Sequence, residues 1–169
     1  MQNQKLLYAG TVATRTPWHM AGHRHDYHEM IVLVEGELNL IIDGEKIMAT
    51  AGDTLFYPAG SIHEERSCPD SPFRTYFICF ADPAMADAGL PVRVVDRAGR
   101  MRQLAHWIYD EQASGQPDEA RKPTAAANIF LAALIAEFRR LTRDDTPPLV
   151  RDIRAYISRH LAGPITVDD

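Results

Sequence analysis

Cysteine is nearly missing from this chain: Cys68 and Cys79 are the only two in 169 residues, eleven apart and without a CxxC pair. That argues against a disulfide framework and fits a reduced, cytoplasmic protein with two bystander thiols. No apolar run is long enough to span a bilayer. The opening MQNQKLLYAG has no basic segment followed by an apolar stretch, so neither a membrane partner nor a secretory signal is expected. An excess of positive charge is missing too. The net charge is -5, and all of it lies in residues 1–99, which carry 8 Lys+Arg against 13 Asp+Glu. Residues 100–169 balance at 10 each, so the chain is a poor candidate for gripping nucleic acid by itself. There is no Ser-His-Asp order, no Gly-rich phosphate loop, no internal repeat and no low-complexity segment.

What is present changes period near residue 100. Before it, short β-rich runs are separated by turn signals: Ile31–Val34 before Glu35-Gly36, Leu38–Ile42 before Asp43-Gly44, then Thr54–Pro58 and Arg74–Phe80. Asp-Gly between two such runs is a two-residue hairpin signal, and strands at this spacing predict a barrel or sandwich. After it, Met101, Leu104, Ala105 and Ile108 make one stripe of a helix ending near Ala113. Pro123 opens a second helix whose apolar face holds Ala127, Phe130, Leu131, Leu134, Ile135, Phe138 and Leu141. Its other sides, with Ile129, Ala132, Ala133 and Ala136, are almost uncharged, and such a helix needs cover on more than one side. Leu149, Ile153, Tyr156, Ile157 and His160 stripe a third helix that Gly163-Pro164 ends. The expected fold is therefore mainly β with C-terminal helices.

Three of the seven histidines fall within seven residues, in HRHDYHE from His23 to Glu29. In an extended chain His23, His25 and Glu29 would project to one side and His28 to the other. A second stretch, GDTLFYPAGSIH, ends a strand with a Pro-x-Gly turn and delivers His63. Together these resemble the cupin superfamily. The first cupin motif, H-x-H-x3-E-x6-G, is matched by His23, His25, Glu29 and Gly36; the second, G-x5-P-x-G-x2-H, by Gly52, Pro58, Gly60 and His63. Pro17 stands where the first motif opens with glycine, and Ser67 where the second closes with asparagine. The resemblance covers about residues 15–82 and implies a small double-sheet barrel, the double-stranded β-helix or jelly roll. It also implies that His23, His25, Glu29 and His63 hold one divalent metal, a donor set that suits Zn, Ni, Fe or Mn. The alternative is a polar cavity in which the same side chains bond each other or an anion without metal. His28 is read as a non-ligand. Trp18 and Tyr57 are candidates for the pocket mouth, aromatic packing being the other reading. His19, His106 and His160 stand alone, and Glu64-Glu65-Arg66 reads as a solvated strand end.

The tail, IRAYISRHLAGPITVDD, resembles the opening of the helix-turn-helix domain of AraC-type transcriptional regulators. Thr166 with Asp169 three residues later announces a helix start. The resemblance implies a cupin sensor barrel over 1–98, a helical dimerisation segment over 99–145, and over 146–169 a linker and the start of a truncated DNA-binding domain. A small-molecule effector in the barrel, a homodimer through Ile129, Ala132, Ala133 and Ala136, and DNA contact only through the missing C-terminal domain complete that expectation. The competing one is a stand-alone metal-dependent cupin enzyme, such as a dioxygenase, isomerase or decarboxylase.

Overall fold

A computed structural model describes residues 4–68, 72–85, 89–113 and 123–143. The third helix expected around 149–160 and the whole tail lie outside them. Nine strands come first: β1 (Lys5–Thr14), β2 (His19–His23), β3 (His28–Glu35), β4 (Glu37–Ile42), β5 (Glu45–Thr50), β6 (Asp53–Tyr57), β7 (His63–Ser67), β8 (Phe73–Ala81) and β9 (Arg93–Val95). Two helices follow, α1 (Arg100–Ala113) and α2 (Ala125–Thr142). The fold class is the expected one, mainly β with helices after the barrel.

All the pairings are antiparallel, in a five-stranded sheet ordered β1-β8-β3-β6-β9 and a four-stranded sheet ordered β2-β7-β4-β5. Asp43 and Gly44, both at positive φ (47° and 90°), close the β4–β5 hairpin, as that dipeptide favours. Five of the nine strands, β1, β2, β5, β7 and β9, lie outside the four runs expected from the sequence. β2 is exposed at every position, and β7 reads HEERS, so neither offers the alternation by which strands are recognised.

Period-2 alternation splits the inner strands between two cores. On β3, Met30 and Val32 face outward with Phe56, Ile78 and Phe80, and there meet Met101, Ala105 and Ile108 of α1 and Leu131, Leu134 and Phe138 of α2. Ile31 and Leu33 face inward, where Leu38, Leu40, Leu55 and Phe73 join them between the sheets. The helices thus cover one face of the five-stranded sheet, and the other face lines the barrel. Asp96 fixes the start of α1 by accepting from the amides of Arg100, Met101 and Arg102, and Thr124 caps α2 by accepting from that of Ala127.

The edge strand β1 is held by both helices. Asn128 on α2 accepts the Leu6 amide at 3.1 Å, and Gln112 on α1 accepts the Ala9 amide. Between them the β1–β8 register slips at Leu7. Such a bulge re-aims a side chain. Here it lets Leu6 pack under the helices while Tyr8, two residues on, faces the barrel cavity.

Candidate metal centre and cavity

The structure brings His23, His25 and His63 together, with one ring nitrogen of each within 4.8 Å of the others. They do not gather by sharing the parity of one strand. His23 ends β2 in the four-stranded sheet, His25 lies in the crossover, and Glu29 belongs to β3 in the other sheet. The chain turns between the sheets at 24–27 and is not extended there. His63 arrives at the start of β7, directly opposite His23. Glu29 lies beside the three without joining their mutual cluster, its Oε2 3.1 Å from His25 Nε2 and 3.7 Å from His63 Nε2.

The tautomers follow from backbone contacts. The Nδ1 atoms of His23, His25 and His63 lie 3.0, 2.7 and 3.2 Å from the carbonyl oxygens of Ala21, Tyr27 and Ser61. A carbonyl only accepts, so each Nδ1 carries a hydrogen and each Nε2 is left for the centre. His63 Nε2 is buried and has no hydrogen-bond partner among the described residues. Burial, and then the neighbouring His23, push the His63 pKa down to about 4, so the ring is neutral at pH 7. His25 Nε2 and Glu29 Oε2 lie 3.1 Å apart, a spacing that a proton on the ring or a bound cation bridges. Three imidazole lone pairs and one carboxylate, each imidazole oriented by its far-side hydrogen bond, fit a divalent transition metal.

A cavity of about 240 Å³ opens beside this group. Its lining is Tyr8, Val12, Trp18, Met20, His23, His25, Tyr27, Glu29, Ile31, His63, Glu65, Thr75 and Phe77. Trp18 lines it as anticipated. Tyr57 does not: it is fully buried behind the wall, its ring against His63 at 4.4 Å, and its hydroxyl donates to Glu65 at 2.5 Å. Glu65 corrects a second expectation. It is not a solvated strand end but 5% exposed, because on β7 it shares the parity of His63 and points into the barrel. Burial is the main reason its pKa rises to about 7; the Tyr57 bond opposes the shift and Glu29 adds to it. Tyr8 and Tyr27 bond each other through their hydroxyls, and the His25 ring stacks on Tyr27 at 3.9 Å. Gly10 lies opposite Phe77, and a Cβ there would fall 2.2 Å from the ring, so the missing side chain gives Phe77 its place in the wall.

His28 belongs to the other face. Its Nδ1 accepts the Ala59 amide at 3.0 Å, so its Nε2 donates to the Asp82 carbonyl at 3.1 Å, and Phe56 and Phe80 flank the ring. His19 pairs with Glu64 at 3.1 Å and His106 with Asp110 at 3.3 Å.

Residues 15–79 match the family described as cupin domain. Over those residues the barrel is similar to a cupin domain. Of solved cupin-like structures, a predicted oxalate decarboxylase from Thermotoga maritima is 17% identical, over 44% of this chain and 66% of that one, with a TM-score of 0.42. KdgF from Halomonas sp. is 22% identical, over 44% and 76%, with a TM-score of 0.37. YhaK from Escherichia coli is 14% identical, over 57% and 45%, with a TM-score of 0.49. No curated protein matches the sequence significantly. Among the described residues no helix is long and apolar enough to cross a membrane. In this barrel the four motif residues and Glu65 line one mostly apolar cavity.

Proposed function

We propose that this chain is the effector-sensing and dimerisation part of an AraC-type transcriptional regulator, which binds a small molecule beside a divalent metal in its cupin barrel. In this reading residues 1–98 sense, 99–145 dimerise, and 146–169 lead into the domain that contacts DNA. The observation that carries it is the edge strand β1. Tyr8 reaches the cavity, and its hydroxyl bonds Tyr27 in the crossover that bears His25. The amides on either side of Tyr8 are held by Asn128 and Gln112 from the two helices. Anything in the cavity that moves Tyr8 therefore acts on the seats of α1 and α2, which is what a sensor requires of its output element. On the outer side of α2, Ile129 is 67% exposed and Ala132, Ala133 and Ala136 are exposed beside it. We assign that face to a second copy of the chain.

The specific observation favouring an enzyme is the three-histidine group at an open cavity, with His63 Nε2 unpartnered, since a bound divalent ion would lend Lewis acidity to a substrate's donor atom. Hydrogen exchange with and without zinc separates the two. In the sensor, zinc slows exchange at His63–Ser67 and also changes it at the Leu6 and Ala9 amides and in the first turns of α2. A response confined to β2, β3 and β7 would sink the sensor reading and leave the enzyme.

A further inference from the structure

The cavity wall around the motif residues specifies what enters. None of its residues is lysine or arginine, and two are carboxylic acids, Glu29 and Glu65. Glu29 faces the imidazoles, whereas Glu65 has one oxygen taken by the Tyr57 hydroxyl and no second partner among the described residues. Much of the remaining wall is apolar and fixed in place. The Trp18 ring stacks on Phe73 at 5.4 Å, and its backbone pairs with Ser67, whose hydroxyl accepts the Trp18 amide while its own amide donates to the Trp18 carbonyl. Phe77 lies in the space Gly10 leaves.

From this wall we propose that the cavity selects a compact, uncharged aromatic molecule bearing one hydroxyl or arylamine donor, which Glu65 receives, and that it rejects dicarboxylates. The proposal rests on the reading that the barrel cavity is the effector site. A second carboxylate would enter a wall with no cation to meet it and would lie against Glu65, leaving two acidic groups desolvated without compensation. A sugar would carry more hydroxyls than these few polar groups can serve. A plain hydrocarbon ring would strip water from Glu65 and return no hydrogen bond. A ring with a single donor suits both halves of the wall. A cavity of about 240 Å³ holds a molecule of that size, since apolar cavities of about 150 Å³ already take benzene.

The test uses the zinc-loaded full chain and three probes of similar size: phenol, toluene and succinate. Ligand-observed NMR titration is expected to rank phenol ahead of toluene by about five- to tenfold, the range one hydrogen bond supplies. In Glu65→Leu the two should bind within about twofold of each other. Succinate should not displace phenol. Competition by succinate, phenol no tighter than toluene, or an undiminished preference in folded Glu65→Leu each overturns the proposal. The first and second outcomes are read on the unaltered chain, so they hold even if the leucine variant does not fold. Succinate binding would sink this ligand class and leave the sensor reading standing. Phenol binding without a response at Leu6 and Ala9 would do the reverse.

Discussion

His28 and His63 are both nearly inaccessible, 4% and 1% exposed, yet they sit in opposite regions of the barrel wall. On the outer face His28 has both ring nitrogens engaged, one accepting from Ala59 and one donating to Asp82, with phenylalanines around it. On the inner face His63 has Nδ1 engaged and Nε2 without a hydrogen-bond partner, turned toward two other imidazoles and a carboxylate. A buried polar atom without a partner lowers stability, and a folded chain retains one where a ligand supplies the missing contact. The outer region is therefore built for the fold, the inner one for something that binds.

Exchanging the two histidines for alanine tests that division most severely, and it carries the largest expected effects. His63→Ala should lose at least about 100-fold in zinc affinity, since even outer-shell partners of a metal are worth 10- to 100-fold. Its stability without metal should fall less than that of His28→Ala, because removing the unpartnered Nε2 offsets part of the lost Ser61 contact and ring packing. His28→Ala should keep its zinc but lose about 2–4 kcal/mol of stability, because the Ala59 amide and Asp82 carbonyl lose their partner and a cavity replaces the ring. Elemental analysis and chemical denaturation of both variants read the two axes. If His28→Ala loses zinc as His63→Ala does, the faces are not separate.

Much of this division was legible in the sequence, and what was not has identifiable physical causes. The hairpin at Asp43-Gly44 and both described helices follow from turn chemistry and periodicity, whereas the motif residues came from the resemblance to the cupin motifs. His28 could be set apart by parity, although the parity argument assumed an extended chain where the backbone in fact turns between sheets. Glu65 was missed because Glu64-Glu65-Arg66 looks solvated. The available signal was its place two residues after His63 on the same strand. Tyr8 offered no signal, since only the slip at Leu7 turns it inward. Phe77 needed the knowledge that Gly10 lies across from it. These contacts are set by strand pairing between segments far apart in the chain, and local pattern does not carry that register.

A smaller effect separates two titrating groups on the inner face of metal-free protein. His63, with its pKa lowered to about 4 from the ordinary 6.5, binds its proton more readily in the unfolded chain. Its contribution to stability therefore rises with pH between 4 and 6.5. Glu65, raised to about 7 from the ordinary 4.5, holds its proton more tightly when folded, so its contribution falls as pH rises from 4.5 to 7. Over pH 4.5–6.5 the two oppose each other. Glu65→Gln removes one of them, so acidification across that window should cost the variant about 1–2 kcal/mol more than the wild type. Urea unfolding at several pH values in the presence of a chelator measures this. Parallel profiles would mean that Glu65 does not hold its proton in the barrel.

The smallest change in the folded chain is expected on α2, where the two regions meet a third, the outer side of the helix. Ala127, Leu131, Leu134, Ile135 and Phe138 are buried against the sheet and α1, whereas Ile129, Ala132, Ala133 and Ala136 lie exposed on the far side. Small side chains there let a second helix come close, and a two-fold pair is the arrangement a regulator of paired DNA half-sites would use. A glutamate on an exposed helix position costs the monomer little, with helix propensity only a few tenths of a kcal/mol from that of alanine. In a helix-to-helix seam the same glutamate meets its own copy and must lose water, which opposes association. Ala133→Glu should therefore leave the unfolding midpoint at low protein concentration within a degree or two and weaken self-association by more than about tenfold. Sedimentation at micromolar concentration should place the wild type near twice the 19.0 kDa chain mass and the variant near one chain. A monomeric wild type, or a variant that pairs as well as the wild type, would mean that this face of α2 is simply solvated.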